Sequence, residues 1–137
     1  NDIYNDRDKN GETPIMIAAE NGHSEIVKIL IDKGVSLSYG ANIIRASKNG
    51  HLSTVKILLN NDANTEIYDS NGRTALMLAS KNGYIRVVKE LINNGANINN
   101  TDNENNTALK FADEEKNTEI VKYLKNNGGI TYWQSNI

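Results

Sequence analysis

The sequence predicts an all-α solenoid of four stacked helix-turn-helix units joined by short hairpin loops. One observation is an eleven-residue phrase, ENGHSEIVKIL at 20–30, which returns as KNGHLSTVKIL at 48–58, KNGYIRVVKEL at 81–91 and EEKNTEIVKYL at 114–124. The copies are spaced first by 28 residues and then twice by 33. The other is a second short helical pattern ahead of each copy. Self-similarity at a fixed period of this size marks stacked repeats, in which no unit buries its apolar face alone.

The first unit shows how each element follows from its residues. Thr13-Pro14 opens a helix, with proline early, where its missing N–H costs nothing. Ile15, Ala18 and Ala19 form a narrow apolar stripe, and Asn21-Gly22 supplies a left-handed stop. Ser24 and Glu25 begin a second helix, Ile26, Val27, Leu30 and Ile31 are its expected buried face, and Gly34 ends it. Small alanines on the first helix allow the second to pack closely.

These residues resemble the ankyrin repeat over about residues 8–130. The family pattern, a turn followed by T-P-L-H-x-A and a paired helix, is met by Thr13-Pro14-Ile15-Met16-Ile17-Ala18. Looser copies are Thr74-Ala75-Leu76-Met77-Leu78-Ala79 and Thr107-Ala108-Leu109-Lys110-Phe111-Ala112; the weakest is Ala41-Asn42-Ile43-Ile44-Arg45-Ala46. Met16, Ile44, Met77 and Lys110 stand where the family has histidine, so the family's hydroxyl–imidazole contact has no imidazole here.

The domain organisation follows. Residues 1–7 read as the remnant of a preceding hairpin or an extension, because Asp2-Ile3-Tyr4-Asn5 aligns with Ala96-Asn97-Ile98-Asn99. The units run over 8–38, 39–68, 69–101 and 102–130, with a tail at 131–137. The 28-residue step places a five-residue shortening in the loop between units one and two, where unit three carries Ile67-Tyr68-Asp69-Ser70-Asn71.

The ends differ. Lys116, Thr118 and Lys125 replace Gly83, Ile85 and Ile92 in the last unit, as expected of a terminal repeat facing water. Tyr132 and Trp133 are expected either to cover that end or to anchor a partner. The apolar Ile15-Met16-Ile17 helix makes unit one read as an interior repeat. The chain is therefore expected to belong to a longer array, or to meet another chain at its leading end.

Composition excludes several functions. The net charge of −2 gives no general attraction to nucleic acid or to an anionic membrane, and no apolar run approaches the roughly 18 residues of a membrane span. There is no cysteine, hence no disulfide or thiol chemistry. The 23 asparagines are tolerated in turns and left-handed positions. Asp6-Arg7-Asp8-Lys9-Asn10-Gly11 copies the start of a calcium loop, but Ile17 stands where a bidentate glutamate is required, so an ordinary turn is expected. His23 and His51 occupy equivalent places in neighbouring units; helices roughly 8–10 Å apart cannot bring both to one metal. Neither a catalytic motif, nor a cofactor, nor a metal site is expected. Asn99 and Asn105 begin glycosylation sequons, which matter only in a secreted eukaryotic protein. Cytoplasmic residence is favoured, with export as the alternative for a chain that starts at Asn1 rather than Met.

The resemblance implies a protein partner held by hairpin tips and the exposed side of the first helices, on a concave face. The tip positions are Lys9, Asn10 and Glu12; Ser70, Asn71 and Arg73; and Asn103, Glu104 and Asn106. The helix positions are Glu20 and Asn21, Lys48 and Asn49, Lys81 and Asn82, and Glu114 and Glu115, with Arg45 in unit two. Two accounts of these charges compete. In one, Glu20 pairs with Lys48 and Lys81 with Glu114. In the other, Arg45, Lys48, Arg73 and Lys81 form a basic strip facing an acidic partner segment. Arg45 replaces Ile17, Leu78 and Phe111 of the other units, so a polar group is expected to meet it. The expected function is a non-catalytic protein-binding module. The alternative is a structural segment of a longer array, or an element of end-to-end self-association.

Overall fold

The computed structural model describes residues 3–37 and 41–131. After a single 3-10 turn at Ile3–Asn5, the helices among the described residues follow in consecutive pairs. They are α1 (Pro14–Glu20) with α2 (Ser24–Asp32), α3 (Asn42–Lys48) with α4 (Leu52–Asn60), α5 (Ala75–Asn82) with α6 (Ile85–Asn93), and α7 (Ala108–Glu114) with α8 (Thr118–Asn126). The first helices of the pairs pack on one another in the order α1, α3, α5, α7, and the second helices form a parallel layer behind them. The only β pairing among the described residues is an isolated antiparallel bridge between Tyr68 and Thr74.

Local chemistry explains where the helices start and stop. Thr13, Thr74 and Thr107 are extended N-caps whose hydroxyls accept the backbone N–H of Met16, Met77 and Lys110 at 3.4, 3.4 and 3.2 Å. The threonine therefore binds the backbone of the residue that stands in the family's histidine place. Ala41 has no side chain to do this, and α3 begins without a side-chain cap. Pro14 occupies the first turn of α1, as its fixed φ allows. Behind each first helix, a buried alanine column (Ala18, Ala46, Ala79, Ala112) admits the second helix closely, against Val27, Val55, Val88, Leu58, Leu91 and Leu124. Truncating a fully buried leucine such as Leu58 costs about 2–5 kcal/mol.

One expectation about the ends changes. Ile26 is not part of the buried face: no described element covers it, and it stands half-exposed, as do Ile17 and Ile29. The trailing end is polar as expected, with Lys116, Thr118 and Lys125 all exposed. Beyond α8 the chain returns onto the preceding loop. Asn99 donates to Gly128 O at 3.0 Å and accepts from Ile130 N at 2.9 Å, while the Thr107 hydroxyl donates to Ile130 O. Tyr132 and Trp133 lie outside the described residues. So do residues 38–40, which fall in the stretch the sequence reading shortens.

Candidate protein-binding groove

Three turns of one design frame the site. Asp8, Asp69 and Asp102 each open a loop whose end returns a backbone bond, from Asp8 N to Glu12 O, Asp69 N to Arg73 O and Asp102 N to Asn106 O. In each, the carboxylate accepts two N–H groups at 2.8–2.9 Å, two and four residues on. The reversal is completed by Gly11, Gly72 and Asn105 at positive φ. The calcium-like stretch at Asp6–Gly11 is thus a turn whose Asp8 carboxylate is occupied by its own backbone.

Between the first two of these turns and the helices α1, α3 and α5 runs an open groove of about 630 Å³. It gathers nine of the sequence-predicted residues: Glu12, Glu20, Asn21, Arg45, Lys48, Asn71, Arg73, Lys81 and Asn82. It also holds residues not expected there: Ile17, Ala41, Ile44 and Leu78, which give it a partly apolar floor, and the carboxylate of Asp69. The signal for Ile17 and Leu78 was in the sequence, since both stand in the column that Arg45 interrupts. Among the remaining predicted residues, Lys9, Asn10, Ser70 and Glu104 are exposed at turn tips, and Glu114 and Glu115 are exposed at the end of α7. Asn49, Asn103 and Asn106 are engaged structurally. Asn49 donates to Arg45 O, Asn103 donates to Ser70 O and Asn71 O of the neighbouring turn, and Asn106 donates to Asp102. Asn82 likewise reaches back to Lys48 O at 2.9 Å.

The charges pair differently from the first of the two accounts. Among the described residues, Glu20 does not bridge to Lys48 and Lys81 does not bridge to Glu114. The ion pairs are Arg45–Glu12 at 3.2 Å, Arg73–Asp102 at 3.5 Å and Lys110–Glu114 at 3.8 Å. Glu114 faces the lysine one turn earlier on its own helix, the ordinary i,i+4 neighbour. Arg45 does meet a polar group, the carboxylate of Glu12 from the preceding turn. Phe111 organises the far side: Arg73 lies 5.0 Å and Lys81 5.8 Å from its ring centroid, so the ring face holds two cations beside the groove. Lys48 has no ion-pair partner among the described residues.

Asp102 is the anchor of this arrangement. Burial pushes its carboxyl pKa up, but the backbone and side chain of Asn106, the Glu104 amide and Arg73 outweigh burial and hold it below the ordinary value. The Arg73 Nε contact is an ion pair rather than a hydrogen bond, as Nε has no hydrogen-bond partner.

His51 is structural. Its Nε2 lies 3.0 Å from Glu20 O, and because a carbonyl only accepts, Nε2 carries the proton. No group of three or more metal-ligating residues occurs among the described residues, and no helix there is long and apolar enough to cross a membrane.

Paired helices stacked in two layers, joined by aspartate-closed turns, define a helical repeat protein with a groove along its first helices. The family model described as "Ankyrin repeats (3 copies)" matches residues 1–45 and 43–136, and the chain belongs to the ankyrin-repeat family. Proteins of this family are generally modules of protein–protein interaction and generally not enzymes. No curated protein matches the chain.

Proposed function

We propose that the chain is a non-catalytic module that binds an acidic segment of a partner protein in the groove along α1, α3 and α5. The observation that carries this reading is the pair Lys48 and Lys81. Both line the groove, neither has a carboxylate partner among the described residues, and Lys81 rests against the Phe111 ring. A cation held beside an apolar floor of Ile17, Ile44 and Leu78 suits a segment that carries carboxylates next to an apolar side chain. Glu12 neutralises Arg45 in the free protein, and an incoming carboxylate competes for that guanidinium. Interfaces of roughly 800 Å² per partner are the ordinary scale of stable recognition, more than the groove alone, so the turn tips join it.

The test compares capture by the native chain with capture by a variant carrying Lys48→Glu and Lys81→Glu, both at positions at least partly open to water. Circular dichroism establishes that the variant is folded. A partner retained by the native chain, lost by the variant and bound more weakly as salt rises supports the reading. Equal retention by both sinks it.

A further inference from the structure

The leading face of the first helix pair repeats, position for position, the surfaces that are buried between the other pairs. Ile26 is 48% exposed, whereas Thr54, Val87 and Ile120 at the matching positions of α4, α6 and α8 are 0%, 1% and 2% exposed. Pro14 is exposed where Asn42, Ala75 and Ala108 are buried, and Ile17 is exposed where Leu78 and Phe111 are buried.

The position of His23 specifies what belongs there. Its three counterparts all reach back to the end of the preceding first helix. His51 lies against Glu20 O and over Gly22, Tyr84 lies over Gly50, and Asn117 donates to Ser80 O and Lys81 O beside Gly83. An added Cβ would lie 2.5 Å from the His51 ring at Gly22 and 2.5 Å from the Tyr84 ring at Gly50, so glycine makes the seat for each ring. His23 stands exposed, beside the groove formed by Ile3, Pro14, Ile17 and Ile26.

We propose that this face seats a further ankyrin-type helix pair stacked in cis ahead of α1, one whose first helix closes on glycine under the His23 ring. The path of the chain supports attachment in cis. Tyr4 occupies the register of Ile98, which lies in the loop that leads from α6 into the turn before α7 and packs against the core. The chain's own trailing end does not fit. Lys116, with φ +60°, places a side chain where the ring needs glycine, and Lys125 replaces the apolar Ile31, Leu59 and Ile92. Head-to-tail stacking of copies is thereby disfavoured.

The test joins a copy of residues 8–33 directly to Asn1, which keeps the whole chain and continues the 33-residue step. This unit already stands with an open leading side in the native protein. A second version joins a copy of residues 69–94. The expected result is added helix by circular dichroism and a new sensitivity at the old face. His23→Ala and Ile26→Lys, nearly neutral in the 137-residue chain, lower Tm by about 3 °C or more in the extended one. Replacing the glycine after the first helix of the added unit (the copy of Gly22 or Gly83) by lysine removes the sensitivity to His23→Ala. If both added units stay unfolded, or if His23→Ala and Ile26→Lys remain neutral in the extended chains, the proposal fails. Sedimentation of the native chain covers the other occupant: a dimer dissociated by Ile26→Lys assigns the face to a second copy and overturns the cis stack.

Discussion

The imidazole of His51 is bonded to the carbonyl of Glu20 and covers Gly22, so that one side chain locks the end of α1 to the start of α4. Gly22 and Gly11 both hold positive φ, at +69° and +78°, but only Gly22 has a ring against it; Gly11 has nothing within 4 Å. Gly11→Ala carries only the backbone strain of a left-handed alanine, about 1–2 kcal/mol. Gly22→Ala adds overpacking against His51 or the loss of its bond to Glu20, for a further loss of about 1–3 kcal/mol. Urea unfolding of the two variants measures the difference, and equal losses would show that His51 moves aside freely.

The lowered carboxyl pKa of Asp102 makes a pH prediction. A folded-state value below the unfolded one, about 3.9, means that the charged carboxylate stabilises the fold above that pH. The contribution is lost as pH falls through the folded-state value. Asp102→Asn keeps an oxygen for the turn but removes the titration. Its unfolding free energy is expected to vary less between about pH 5 and pH 2 than that of the native chain. Parallel pH curves would assign the acid sensitivity elsewhere.

Asn99 ties the chain beyond α8 to the loop before α7, through one donated and one accepted bond. Asn99→Ala loses both and is expected to cost about 1–3 kcal/mol at this part-buried site, with faster hydrogen exchange at the Ile130 amide. Asn99→Asp keeps the acceptor for Ile130 N and falls between. Unchanged exchange at Ile130 in the alanine variant would contradict the assignment.

Thr74→Ala removes the cap of α5, at a cost of about 1 kcal/mol that Thr74→Ser restores. Thr107→Ala removes the cap of α7 together with the bond to Ile130 O, so its loss is expected to be the larger. Thermal melts of the three variants give the order, and a smaller loss at Thr107 would reverse the reading of the chain end.

Much of the architecture was legible because it is written in local chemistry. Thr13-Pro14, Asn21-Gly22 and the Asp8, Asp69 and Asp102 turns act within a few residues, and the 33-residue period sets the stacking order. The charge pairs were not legible. One of the two accounts paired Glu20 with Lys48 and Lys81 with Glu114, whereas Arg45 finds Glu12 and Lys81 finds the Phe111 ring. Long side chains choose among several partners at similar distances, and sequence spacing cannot rank them.

Ile26 marks the boundary between the two kinds of knowledge. By sequence alone it is an interior residue, since its apolar character and helical spacing match those of Val87 and Ile120. Whether it is buried depends on a neighbour outside its own helix pair, and only the tertiary structure shows that no described element covers it. The sequence by itself determined the helix pairs, their caps and turns, and the order of stacking, because those rest on bonds between near neighbours. The tertiary structure decided which cations stay open in the groove and which apolar face is left uncovered, because both depend on what packs across from them.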